Sequence, residues 1–224
     1  MHWLILSYEP VSTFELRPSN TTKTGGKTLL VPTPYALKMA FLDRIIRYNG
    51  LDFGQAVFPK IRDLQIGIQV PEAQAINRTF QKILRPKSGN KWNETIAMRE
   101  FCVQGGSLGL ALGLDVASED EFWSMMGKTA SAINYFGQRG SFFQLTKADL
   151  LDYLPDTYVD ASQSSTKVMM GFLQRMDDME SVAQFEDIST FQKGASGARK
   201  SYNVIFPYQV AHHGHNHTVW ERVK

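Results

Sequence analysis

The pair Thr33-Pro34 constrains this chain more than any other two residues. A threonine hydroxyl can accept from a backbone N–H two or three positions on. Proline has a helical φ and lacks only an N–H that a first turn leaves unpaired anyway, so the pair marks a helix start. A helix is expected over Val31 to Arg47, with Leu37, Ala40, Phe41 and Ile45 on one buried face and Lys38, Arg44 and Arg47 off it. Before it, His2 to Tyr8 reads as a buried strand that breaks at Pro10. After it, Lys60 to Val70 reads as a second strand, alternating from Leu64 and closed by Pro71. Strand, long polar loop, helix and strand make a β-α-β unit.

Past Pro71 the chain turns basic. Arg78, Lys82, Arg85, Lys87, Lys91 and Arg99 surround Pro86 and Ser88-Gly89-Asn90, with Phe80 and Trp92 among them. Gly-Asn between such flanks predicts an exposed β-hairpin or arm. Its cations suit phosphates, and its two aromatic rings suit stacking on bases. An ordinary charged loop with Phe80 and Trp92 buried is the alternative. Two further strands, Thr95 to Val103 and Leu108 to Leu114, read as a hairpin around Gln104-Gly105-Gly106-Ser107. Ser118 then caps a helix with acidic residues in its first turn and an apolar stripe of Phe122, Met125, Met126, Thr129 and Ile133.

Tyr135 to Gln144 is expected to supply the last strand of the unit, behind Arg139 in a glycine-bracketed turn. Arg139 is either a phosphate contact or merely part of that turn. Residues 146–165 read as a linker to a small C-terminal part, in which a basic loop, Gly194 to Lys200, leads to a strand at Ser201 to Phe206.

A hydrophobic content of 43% and a charged content of 21% are those of a soluble globular protein. No apolar run spans a membrane, and the N-terminus lacks the positive region of a signal peptide. The lone Cys102 makes neither an internal disulfide nor a cysteine zinc site. The net charge of +2 hides an asymmetry: residues 1–99 carry 14 Lys/Arg against 7 Asp/Glu, and residues 115–190 carry 5 against 13. One surface for a polyanion and another that avoids it would produce this pattern, as would chance clustering on a solvated surface.

An N-terminal strand, a loop with an aromatic at Phe14, and Pro32-Thr33-Pro34 opening an apolar helix begin a recognisable pattern. A basic insertion near 75–99 and Arg99-Glu100-Phe101-Cys102-Val103 entering a strand complete it. The pattern resembles the crRNA-handle-binding subunit of type I CRISPR Cascade complexes, Cas family five of the RAMP superfamily. The likeness covers residues 1–145 and includes no invariant catalytic signature.

The resemblance implies an α+β fold. Residues 1–145 would form a ferredoxin-like (RRM-like) RAMP domain with a basic β-hairpin or thumb inserted at about 71–99, and residues 146–224 a linker and small β-rich region. It also implies a non-catalytic, cytoplasmic subunit that caps the 5′ handle of a crRNA in antiviral defence, with neither metal nor cofactor. Its partners would be the crRNA, the Cascade backbone and large subunits and, through the complex, target DNA. Phosphates would fall to Arg17, Lys23, Lys27, Arg78, Lys82, Arg85, Lys87, Lys91 and Arg139, with Phe80 and Trp92 as stacking residues.

Some members of the family cleave precursor crRNA without metal. Their catalytic positions do not map by motif onto Lys128, Tyr135 or the histidines, so a processing endoribonuclease stands as an alternative. His212, His213, His215 and His217 could bind metal or act in acid-base chemistry, but no carboxylate or cysteine lies among them, and a hairpin turn is the plainer reading. Gly25-Gly26-Lys27-Thr28 resembles the end of a P-loop but lacks its first glycine, because position 21 is Thr21. Gly105-Gly106-Ser107-Leu108-Gly109 fits G-x-S-x-G, which keeps a serine hydrolase using Ser107 as a second alternative, although the glycine-leucine alternation that follows suits a strand.

Overall fold

The computed structural model describes residues 1–21, 25–89, 91–115, 120–165, 170–188 and 198–223. Ser118, Lys23, Asn90 and the loop residues 194–197 lie outside them. The chain is α+β, with antiparallel sheets and three helices among the described residues.

The central sheet has the order β7 (Phe143–Leu151), β1 (His2–Pro10), β6 (Leu108–Leu114), β3 (Gln65–Gln69), β8 (Val159–Asp160). Every neighbour is antiparallel, so β1 and β3 run parallel on either side of β6. Between β1 and β3 the chain crosses over through α1 (Pro34–Asn49) and α2 (Leu51–Asp63). Leu6, Leu110 and Ile68 form one row across the sheet, and Leu4, Leu112 and Ile66 the next; all six are buried. Tyr8, on the same side of β1, donates its hydroxyl to the Ala130 carbonyl of α3 (Asp120–Ala132) at 2.9 Å, so this is the helix-covered face.

The glycine-leucine alternation of β6 has a packing cause. Its leucines enter the core, while a Cβ at Gly113 would sit 2.7 Å from the Trp3 ring and one at Gly109 2.8 Å from the Tyr158 hydroxyl. The second face of β6 is therefore also covered, by groups that leave room for nothing larger than glycine or the methyl of Ala111.

α1 begins as expected. Thr33 is its N-cap, its hydroxyl accepts from the Ala36 N–H at 3.2 Å, and Pro34 is the first helical residue. Leu37, Phe41 and Ile45 are buried and Ala40 is half-buried. Lys38 departs from expectation, because α1 is covered on two sides. It faces β9 (Phe172–Met179) and is buried, its ammonium donating to Asp178 Oδ1 at 2.7 Å and to the Arg62 carbonyl at 2.8 Å.

The strand expected from Lys60 is likewise corrected. Residues 60–63 finish α2, where Ile61 belongs to a helical stripe with Val57 and Phe58, and true alternation starts only at Gln65. Gly50, at φ 91°, makes the corner between α1 and α2.

The last strand of the sheet lies later than Tyr135 to Gln144. Residues 135–142 form a turn closed by a bridge from Tyr135 to Phe142, and β7 starts only at Phe143 and takes residues 146–151 out of the expected linker. The expected hairpin of β5 (Lys91–Gly105) and β6 does not form either. At Gly106, φ 99°, the chain leaves one sheet and enters the other.

That second sheet has the order β11 (Tyr208–His213), β12 (His217–Arg222), β4 (Ala73–Lys87), β5, β2 (Gly25–Gly26). β9 pairs with β10 (Arg199–Phe206) in a separate ribbon, of which β9 packs on α1. Arg199 and Lys200 therefore start a strand. Among the described residues no helix is long and apolar enough to cross a membrane.

Candidate nucleic-acid interface

β4 and β5 are each 15 residues long and pair in one unbroken register from Ala73↔Gly105 to Lys87↔Lys91. Buried and half-buried residues concentrate at the start of β4 and in the later half of β5; toward the turn nearly every side chain faces solvent. Gly89, at φ 79°, lies in the turn. The basic stretch lies on this two-stranded ribbon, called the arm below.

The register sorts its side chains. Cross-strand partners share a face, so Arg78, Phe80, Lys82, Leu84 and Pro86 lie with Glu100, Met98, Ile96, Glu94 and Trp92. Arg85, Lys87 and Lys91 lie on the opposite face with Thr79, Gln81, Asn93 and Arg99. The first face pairs cations with a ladder of exposed apolar groups: Phe80 is 70% exposed and Trp92 66%. Burial of these two rings, the alternative reading, does not occur. Leu84, Ile96 and Met98 are exposed on the same face and escaped the sequence reading. Alternation in β5, counted from the strand pairing, is the signal that finds them.

Ion pairs grade the cations. At the root, Arg78 Nε meets Glu100 Oε1 at 3.0 Å, while Glu100 Oε2 accepts from the Thr28 N–H at 3.1 Å. Glu100 thereby ties the arm to the loop before α1. Arg99 is held against Glu15 at 3.3 Å. Farther out, Lys82 reaches Glu94 only at 3.9 Å, with both groups largely exposed. Arg85, Lys87, Lys91 and Arg139 have no ion pair among the described residues and are exposed. These four keep their full charge for a polyanion.

Gly25 and Gly26 lie in β2, parallel to β5 at Met98 and Arg99, and a Cβ on Gly26 would come within 2.6 Å of the Met98 carbonyl. Close strand approach thus explains Gly26, and Lys27 is left exposed beside the arm root. Lys23 lies outside the described residues. Arg139 stands in a turn between Gly137 (φ 74°) and Gly140 (φ 105°). Arg17 is half-buried and lines a cleft beside α1 rather than the arm.

Among the described residues the other candidate chemistry is not assembled. Ser107 donates to the Glu9 carboxylate, and strand β6 follows it, where the hydrolase motif needs a helix. Burial pushes the Cys102 thiol up to about 12, far from a nucleophile's range. His212 and His217 stack with centroids 5.2 Å apart across β11 and β12, and His213 Nδ1 lies 3.0 Å from the Thr218 hydroxyl. Among the described residues no group of three His, Cys, Asp or Glu could hold a metal ion.

No family model matches the chain. A CRISPR-associated protein Cas5 of Archaeoglobus fulgidus is 28% identical over 120 residues, a match that spans 51% of this chain and about half, 53%, of that relative. The crystal structure of a CRISPR protein from Archaeoglobus fulgidus superposes over 100% of this chain and 93% of its own, with a TM-score of 0.51 at 13% identity, a likeness of fold. The resemblance carried by the N-terminal pattern therefore has a counterpart in sequence: the chain is related to a CRISPR-associated Cas5 protein.

Proposed function

We propose that this chain is the crRNA-binding subunit of a type I CRISPR Cascade complex, capping the 5′ handle in the cytoplasm without catalysing a reaction. The observation that carries the reading is the β4–β5 arm, whose unpaired cations and exposed aromatic rings suit a single-stranded polyanion. The Cas5 relative supports the same assignment.

We read the sheet order β7-β1-β6-β3, with its helical crossover, as the ferredoxin-like arrangement of a RAMP unit. The unit expected over residues 1–145 runs on to the end of β7, and the arm is its basic thumb. In this reading β8 extends the sheet of the unit at its β3 edge, and β9 to β12 brace the unit and the root of the arm. Phosphates are taken by Lys23, Lys27, Lys82, Arg85, Lys87, Lys91 and Arg139, with Arg17 contributing near α1 and Arg78 at the arm root. Phe80 and Trp92 stack on bases. The backbone and large subunits assemble around the bound crRNA, and target DNA is met only through the complex.

The test is binding of the purified chain to labelled repeat RNA without added metal, across a salt series. Affinity should fall with salt, and Arg85→Ala with Lys87→Ala should lower the log–log slope by about 0.7 for each phosphate that is no longer neutralised. An unchanged slope removes the arm from the interface. A cut product would replace the capping role with that of a processing endoribonuclease.

A further inference from the structure

Beside the start of α1 lies a cleft of about 440 Å³, a size within the roughly 300–1,000 Å³ of small-ligand sites. Leu16, Met39, Ile133 and two tyrosines, Tyr35 and Tyr135, give it an apolar lining. Three guanidinium groups also reach it, from Arg17, Arg44 and Arg199.

Each arginine is in a different state. Arg44 is satisfied, donating to Asn134 Oδ1 at 2.9 Å. Arg199 lies over the Tyr35 ring, 3.8 Å from its centroid, which extends the aromatic surface into a platform. The Nε of Arg17 is enclosed and has no hydrogen-bond partner among the described residues. An enclosed charged donor is stable only when an acceptor reaches it.

The two carboxylates of the lining are already engaged. Asp43 accepts from Arg47 Nε at 3.0 and 2.8 Å, and Asp177 accepts from the Ser201 hydroxyl at 2.7 Å. Arg17 and Arg199, which make neither a carboxylate pair nor the amide contact that holds Arg44, remain beside aromatic faces, a combination that fits a planar base carrying a phosphate.

We infer that the cleft receives one unpaired nucleotide of the bound RNA, its base stacked on the Tyr35–Arg199 platform and its phosphate held by Arg17. The inference rests on the RNA-binding reading above and adds a second point of attachment to it, separate from the arm. The cleft fixes one nucleotide while the arm tracks the strand.

The experiment uses the full chain and a short single-stranded RNA carrying a fluorescent adenine analogue at each position in turn. One position should be quenched on binding. Arg17→Met and Arg199→Met should abolish that quenching and weaken binding about fivefold or more, with thermal melting near wild type. Arg199 is exposed, so its variant remains informative if Arg17→Met fails to fold. Arg85→Ala with Lys87→Ala should weaken binding yet keep the quenching at saturation. If both cleft variants bind and quench as wild type while the arm variant weakens, the cleft assignment falls and the RNA reading stands. A wild-type chain that binds no RNA overturns both. Saturable binding of free AMP, lost in the cleft variants while RNA binding is unchanged, would make a free mononucleotide the ligand and overturn the inference.

Discussion

Replacing Lys38 by methionine tests how α1 is held to β9. The Lys38 ammonium is 2% exposed and meets an Asp178 carboxylate that is 3% exposed, at 2.7 Å. Asp178 also accepts from the Met179 N–H at 2.7 Å. Burial holds Lys38 below the usual lysine range even with this partner present, which marks how costly the charge is here. Methionine keeps most of the packing volume and strands the carboxylate. Breaking one side of such a pair costs about 3–5 kcal/mol. At roughly 2–4 °C per kcal/mol for a chain of this size, Tm should fall by about 6–20 °C. Asp178→Leu strands the ammonium with only the Arg62 carbonyl and should cost a similar amount. The double variant carries neither charge and should lie within about 2 kcal/mol of wild type, because a buried pair contributes little beyond an apolar replacement. Urea unfolding of the four proteins at neutral pH should therefore give a coupling of about 3 kcal/mol or more. If the two costs add to within about 0.5 kcal/mol, the pair does not act as a unit and the reasoning is refuted.

Trp92→Ala should leave stability within about 0.5 kcal/mol, since the ring is exposed, while weakening RNA binding by about 1–3 kcal/mol; equal RNA affinity would deny the ring a stacking role. Gly113→Ala should cost about 1–3 kcal/mol in a melting experiment, because its new methyl meets the Trp3 ring, and a neutral result would show that Trp3 yields freely. The Cys102 thiol, buried and raised from 9.0 to about 12, should resist thiol reagents until the chain unfolds. The unfolded chain loses that proton first, so the stability of wild type relative to Cys102→Ala should fall by about 1.4 kcal/mol per pH unit as pH rises from 9.0 to about 12; a flat difference would mean that the thiol is not shielded.

The first strand, the Thr33 cap and the exposure of the basic stretch were legible because each is written in local chemistry: apolar density, a capping hydroxyl, a run of cations around glycine. Lys38 was not. Its helical position looks like a solvent face, and Asp178, the residue that explains it, comes 140 positions later. The end of α2 was misread because Ile61 was grouped with the alternating Leu64, Ile66 and Ile68, although its spacing of three to Leu64 is helical. The arm's cations were named together, yet their division between two faces depends on register, which only pairing fixes. Arg17 was singled out for its charge alone. The cleft that gives it meaning takes in Tyr35, Tyr135 and Arg199, residues far apart in sequence that the fold brings together.

The root of the arm is closed on its outer side by β12, through the pairs His217↔Asn77 to Glu221↔Ala73. During vectorial synthesis the arm emerges early, but the strand that seals its root is made much later. Until then β4 presents a bare edge, the kind of template on which nascent chains pair with one another. Premature termination ahead of residue 217 would thus yield a chain that carries every cation of the arm and is nonetheless prone to aggregate. The cations of the arm and the strand that covers its edge are completed at different moments of translation.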